Sequence, residues 1–369
     1  MINKYIRIFL AVILCFSLFN LCGCGYEYFE LNLSADYTND LKGTVLNVYN
    51  WGEYISDGTD DSMDVNKEFE RITGIKINYS TFESNETMYS QLRTAGVSYD
   101  IVIPSDYMID RMIKEDMLLK IDTDKISNYH NISDDYKNLY FDPENSYSIP
   151  YNVGMVGIIY NTKMINEVPD SWSYFWNEKY KNQTLMFSNP RDAFMTAQFL
   201  SGVSVNSTNK ADWDKAAELL KEQKQYLQSY VMDEVYGKME TGEAAIAPYY
   251  AGDFLTMYDV NEDLAFVYPK EGTNIFVDSI CIPKCCENYE AALLYINFLL
   301  ETDIALANAE YIGYASPNIA VINNPDYCYF ENEILYPKKE NMPITEYYRD
   351  LDIEIRSYYE NLWIDVKLY

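Results

Sequence analysis

The strongest constraint on the fold is the way hydrophobic spacing alternates between residues 44 and 113. Thr44 to Trp51 is rich in Val, Leu and Tyr with partial alternation, the pattern of a strand. Met63, Asn66, Phe69 and Ile72 follow at helical spacing, and Gly74 stands where a helix C-cap belongs. Lys76 to Phe82 reads as a second strand, and Met88, Leu92 and Ala95 mark a second helix with Gly96 after it. Ile101-Val102-Ile103 is wholly apolar, as a strand covered on both faces must be, and Met108, Met112 and Ile113 mark a third helix. The order β-α-β-α-β-α predicts an α/β domain on a largely parallel sheet. Ligands of such sheets sit beyond the carboxyl ends of strands. Trp51-Gly52-Glu53-Tyr54 and Pro104-Ser105-Asp106-Tyr107 both occupy such ends, each placing an aromatic beside a polar group.

From Ser148 to Asn161 the chain reads as extended, and its glycines and proline suit a crossover into a second lobe. That lobe is expected to hold a helical segment with Trp172, Phe175 and Trp176, then a strand Thr184 to Ser188. A long helix is predicted from Trp213 to Tyr230, with Ala216, Leu219, Leu220 and Leu227 as its apolar stripe. Strands are predicted at Ala244 to Tyr250, Leu264 to Tyr268 and Asn274 to Pro283, then one long helix from Glu290 to Glu310 before Gly313.

The N-terminus reads as an export signal. Lys4 and Arg7 precede an apolar stretch beginning at Ile8, too short and interrupted for a spanning helix of roughly 20 residues. Leu21-Cys22-Gly23-Cys24 resembles the bacterial lipobox, which implies a leader of residues 1–23 and lipidation of Cys24. Residues 24–42, polar and acidic, are then expected as a tether. Removing the leader from 369 residues leaves a chain suited to two domains.

A formal charge of −29 argues against nucleic acid, which needs a basic footprint. It agrees equally with steering cations and with a merely soluble exported surface. Cys281, Cys285, Cys286 and Cys328 match no zinc template; one disulfide and four free thiols both remain open. His130 is the single histidine, in a polar loop, and no nucleophile elbow, P-loop or dinucleotide fingerprint is present. No catalysis, metal or cofactor is expected.

Several segments together resemble the spermidine/putrescine-binding proteins of polyamine ABC importers. They are Y-N-W-G-E-Y (49–54), F-E-R-I-T-G-I-K-I-N-Y-S-T-F-E-S-N-E-T-M-Y (69–89), Y-D-I-V-I-P-S-D-Y (99–107), Y-S-I-P-Y (147–151), I-F-V-D-S (275–279), I-N-F-L-L (296–300) and I-G-Y-A-S-P-N (312–318). The resemblance runs in order from Leu46 to Asn318, and the tail matches loosely. It implies an α/β, two-lobe, periplasmic-binding-protein-like fold with a hinge and an interlobe cleft. Lobe 1 would span 43–150 and 276–322, and lobe 2 would span 151–275 and 323–369. The implied protein is a monomer that performs no chemistry, binds a polyamine, and delivers it to membrane permease subunits of an ABC importer.

A polyamine alternates methylenes, which favour apolar walls, with ammoniums, which favour carboxylates or π-faces worth about 0.5–2 kcal/mol each. The resemblance assigns Trp51, Tyr54, Tyr107, Tyr250, Phe276 and Tyr314 as walls. It assigns Glu53 and Asp192 to the terminal ammoniums, Asp278 to an interior or nearby nitrogen, and Ser105 as a hydroxyl. Taken singly, Trp51 and Tyr314 read as core aromatics and a loop Asp as solvated or capping. The family commonly has an acid where Asn189 stands and tryptophans at Tyr250 and Phe276, and Gly52 replaces a hydroxyl residue. Asp253 is placed to restore a negative charge. The same fold serves receptors for ferric ion, thiamine or sugars, so those ligands remain the alternative, whereas Glu53 and Asp278 argue against an anion.

Overall fold

The structure is a computed structural model that describes residues 28–94 and 96–369. The expected leader over 1–23, the expected lipidation site Cys24, and Ala95 lie outside the described residues. Strand β1 (Val45–Trp51) leads through helix α1 (Val65–Thr73) to β2 (Lys76–Phe82). Asp64 caps α1 by accepting from Lys67 N, and Gly74 closes it at φ 73°, as the sequence predicts. Helix α2 (Asn85–Leu92), capped by Ser84, leads to β3 (Ile101–Val102) and α3 (Asp106–Lys114). Strand β4 (Ser148–Asn161) follows, with all fourteen residues buried.

The second half carries β5 (Thr184–Phe187), α4 (Pro190–Leu200), α5 (Lys210–Gln223), β6 (Leu227–Val231), α6 (Glu234–Glu240), β7 (Ile246–Tyr250), α7 (Ala251–Val260), β8 (Leu264–Val267) and β9 (Thr273–Cys281). Helices α8 (Tyr289–Leu299), α9 (Thr302–Ile312) and α10 (Ile319–Ile322), strand β10 (Thr345–Glu346) and helix α11 (Ile353–Leu368) complete it.

One mixed sheet runs β2-β1-β3-β9-β4-β7-β5-β6, with β8 added to β4 and β10 to β9. The pairs β1–β2 and β1–β3 are parallel, whereas β9 is antiparallel to both β3 and β4. The expected parallel pairing thus holds for the first three strands and recurs in β5–β6 and β5–β7, while β4 and β9 between them run antiparallel. Strand β4 pairs with β9 over Ser148–Met155 and with β7 and β8 over Val156–Asn161. Its first half thus pairs on one side of the sheet path and its second half on the other.

Three expectations change. The helix predicted to Tyr230 ends at Gln223, and Leu227–Val231 is a strand in parallel register with β5, so Leu227 belongs to no helical stripe. Tyr226 N turns back to Gln223 O and frees the segment to pair with the sheet. The single helix predicted over 290–310 is two, because Glu301 is extended (φ −60°, ψ 143°) at the start of α9.

The third change concerns the expected tether. Residues 32–369 make one unit, and of the unit before it Tyr28–Leu31 carry no helix or strand. From Asn32 onward the polar run is docked. Ser34 N and Oγ each donate to Glu301 Oε2 at 2.8 Å, and Ala35 N and Tyr37 OH donate to Oε1 at 3.0 and 2.9 Å. Burial pushes the Glu301 carboxyl up, but these donors together hold it below the ordinary value. Among the described residues, Cys281, Cys285, Cys286 and Cys328 are free thiols.

Candidate functional site

Three helices begin at carboxyl ends of sheet strands, and each has an aspartate in its first turn: Asp106 in α3, Asp192 in α4 and Asp253 in α7. Free N–H groups and the helix dipole favour negative charge there. The fold thus seats carboxylates where strands of an α/β sheet present their ligands. In α4, Pro190 begins the helix and Asn189 Oδ1 accepts from Arg191 N at 2.9 Å. Asn189 Nδ2 donates to Asp192 Oδ2 at 2.9 Å. At the position of the family's additional acid, this chain has a donor that steadies the neighbouring carboxylate.

Tyrosine hydroxyls hold the remaining oxygens. Tyr250 OH donates to Asp192 Oδ2 and Tyr348 OH to Asp192 Oδ1, both at 2.8 Å. Tyr236 OH donates to Asp253 Oδ1 at 2.6 Å, and Tyr314 OH donates to Asp253 Oδ2. Burial pushes both carboxyls up, and the hydroxyl donors pull against it. A hydrogen bond to a charged group is worth about 1.5–3 kcal/mol, so Asp192 is well satisfied.

Asp278 is not. It lies on β9, 4% exposed, and Tyr54 OH donates to its Oδ2 at 2.6 Å. Its Oδ1 is buried with no donor. Burial raises its pKa to about 6, against the hydroxyls of Ser105 and Tyr54. Ser105 reaches this place through a backbone bridge to Asp278, while Asn85 Nδ2 donates to Ser105 Oγ at 3.0 Å. A buried acceptor left over beside a carboxylate is where a cationic donor belongs.

Aromatic rings surround these acids. Tyr314 lies 5.7 Å from Tyr54 and 6.2 Å from Phe276, and Phe276 lies 5.7 Å from Tyr250 at 85°. Two glycines make room for them. A Cβ on Gly154 would stand 2.1 Å from Phe276 Cζ, and one on Gly252 would stand 2.4 Å from Tyr314 Cδ2. Tyr107 joins the far side through an edge contact to Tyr348 at 6.5 Å, and its hydroxyl donates to Glu86 Oε1 at 3.1 Å.

The structure thus gathers Tyr54, Ser105, Tyr107, Asn189, Asp192, Tyr250, Asp253, Phe276, Asp278 and Tyr314. Trp51 packs beside the strand end that carries Ser105: its indole tilts on Phe82 at 4.5 Å and its Nε1 donates to Ile103 O at 2.8 Å. Glu53 is exposed on the turn after β1, at φ 52°. Sequence spacing does not reveal Tyr236 and Tyr348, because neither stands in a periodic pattern and each meets its acid only through the tertiary fold. A cavity of about 20 Å³, lined by Tyr151, Asn152 and Asn308 among others, has room for roughly one water and is too small for a solute.

The model of the bacterial extracellular solute-binding protein family matches residues 65–332. The chain belongs to this family. Its sequence is 35% identical over 341 residues to the spermidine/putrescine-binding periplasmic protein of Salmonella typhimurium, covering 91% of this chain and 95% of that protein. The solved spermidine/putrescine ABC transporter substrate-binding protein of Streptococcus pneumoniae superposes with a TM-score of 0.77 at 36% identity, covering 88% of this chain and 99% of that one. A lipoprotein of Treponema pallidum superposes with a TM-score of 0.77 at 26% identity, covering 88% and 100%. The expected binding-protein fold is borne out. Among the described residues no helix is long and apolar enough to cross a membrane, and no group of His, Cys, Asp and Glu is arranged to hold a metal.

Proposed function

We propose that this chain is an extracytoplasmic receptor that captures a polyamine, spermidine or putrescine, and hands it to the permease of an ABC importer. The observation that carries the reading is the free, buried Oδ1 of Asp278 inside a wall of tyrosines and phenylalanine. The relatives' names support the same ligand class. Against a ferric receptor, burial pushes the phenols of Tyr54, Tyr250 and Tyr314 well above their ordinary value, which opposes phenolate ligation.

Further parts of the reading are the leader 1–23 and lipid attachment at Cys24, supported by the lipobox resemblance and the lipoprotein relative. The protein acts as a monomer without chemistry on its ligand. His130 is exposed and turned to Ser127 O, away from the acids described above. The lobes divide at 150 and 276, with 323–369 in the second, and the change of partners along β4 supports the division. Calorimetry with spermidine, spermine and putrescine tests the ligand. Micromolar or tighter binding of at least one is expected, and no heat from any at tens of micromolar protein would sink the proposal.

A further inference from the structure

Ser105 stands at the N-cap of α3, where a serine hydroxyl ordinarily accepts from a helix N–H. It makes no such bond. Its hydroxyl is held instead by Asn85, the first residue of α2, which follows β2. The sheet order β2-β1-β3 puts one strand between the two, and the Asn85 amide bridges that gap. Ser84 supplies the cap of α2 itself by accepting from Thr87 N, so the Asn85 side chain is free for this task. The orientation of the amide is fixed by its partners. Ser105 N can only donate, and it donates to Asn85 Oδ1 at 3.1 Å. Nδ2 is therefore the donor end, and it reaches Ser105 Oγ at 3.0 Å and Tyr107 OH at 3.2 Å. Asn85 is buried, and these three bonds occupy both ends of its amide.

We propose that Asn85 is a positioning residue of the ligand site: it turns the Ser105 hydroxyl off the α3 cap and holds it, together with the Tyr107 hydroxyl, in the wall that meets the ligand. This rests on the polyamine reading, which makes Ser105 and Tyr107 parts of that wall. Each hydroxyl receives a hydrogen from Asn85 and so sends its own elsewhere. That of Tyr107 goes to Glu86 Oε1 at 3.1 Å. Ser105 is bridged through its backbone to Asp278. Burial raises the Asp278 carboxyl to about 6, and the Ser105 hydroxyl is first among the groups that oppose it. A serine that forgoes its cap, held by an asparagine given over to two neighbours, is a local departure of the kind a binding site imposes. Asn85 acts through Ser105 and Tyr107 and needs no ligand contact of its own.

The test is spermidine calorimetry on the wild type, on Asn85→Ala, on Ser105→Ala with Tyr107→Phe, and on all three substitutions together. Asn85→Ala made in the wild type should weaken binding about tenfold. In the background of Ser105→Ala with Tyr107→Phe, where both hydroxyls are gone, the same change should cost less than about twofold. A residue that only supports the fold would cost the same in both backgrounds, and that result overturns the proposal. An Asn85→Ala protein with wild-type Kd overturns it as well. A further check needs no variant to fold. The Asn85 side-chain amide signals of the wild type should move in NMR as spermidine is added, and signals that stay in place overturn the proposal. Failure of the wild type to bind spermidine, spermine or putrescine overturns the polyamine reading and this role together, whereas binding with additive losses overturns this role alone.

Discussion

Burying an ionised carboxylate costs several kcal/mol unless donors replace its water, and Asp278 has a buried oxygen with none. The consequence runs in a fixed direction with pH. Its folded pKa, about 6, lies above the ordinary 3.8, so the folded state binds more protons between those values. Stability from this group is therefore present at low pH and is lost as pH rises through about 6, by up to about 3 kcal/mol. Asp278→Asn should flatten that slope in urea unfolding of the ligand-free protein at about pH 4 and pH 7, while lowering polyamine affinity a hundredfold or more. A variant that binds as wild type refutes the role. Asp278 is legible in the sequence because it sits in I-F-V-D-S at a strand, where an unpaired acid is hard to explain otherwise. Tyr348 and Tyr236 are not. Tyr348 reaches Asp192 across 156 residues of sequence, and no local pattern encodes such a contact.

At the scale of elements, local periodicity carries the first βαβ units well, since caps such as Asp64 and Gly74 punctuate them. It fails where tertiary pairing or a clasp overrides it. Leu227–Val231 follows α5 closely enough to look helical, yet pairs with β5. Glu301 ends one helix and opens another because its side chain turns to Ser34 and Tyr37. The glycines at element ends carry meaning that spacing cannot give. Gly252, the second residue of α7, is where a methyl would meet the Tyr314 ring at 2.4 Å. Alanine there favours the helix by up to about 1 kcal/mol. It must nevertheless displace the ring whose hydroxyl donates to Asp253. Gly252→Ala is expected to retain or gain thermal stability of α7 while losing about tenfold in polyamine affinity. Unchanged affinity would show that the ring has room elsewhere and that its position is not set by Gly252.

Across the whole molecule, β4 and β9 run through both halves of the sheet, and the segment after residue 344 ties those halves together outside it. Asp350 is the node. Arg111 Nε and Lys114 Nζ on α3 approach it at 3.0 and 3.7 Å, and Arg356 Nη1 on α11 at 3.1 Å. The side chains of Arg111, Asp350 and Arg356 are 10%, 14% and 17% exposed, so the charges are largely out of water. Removing the acid from such a node leaves guanidiniums facing one another, at a cost of about 3–5 kcal/mol. In the proposed hinged receptor the two sides separate on opening, and the same groups regain water. The loss therefore falls mainly on the closed form. A ligand that needs the closed form then binds with its intrinsic affinity divided by the closed fraction. Asp350→Asn should weaken polyamine binding about tenfold or more and reduce ligand-induced compaction in small-angle scattering. The double variant Arg111→Gln with Asp350→Asn removes one stranded cation and should recover part of the affinity, which a merely unstable fold would not do. Wild-type affinity together with wild-type compaction in Asp350→Asn would mean that the node stabilises both forms equally and takes no part in closure.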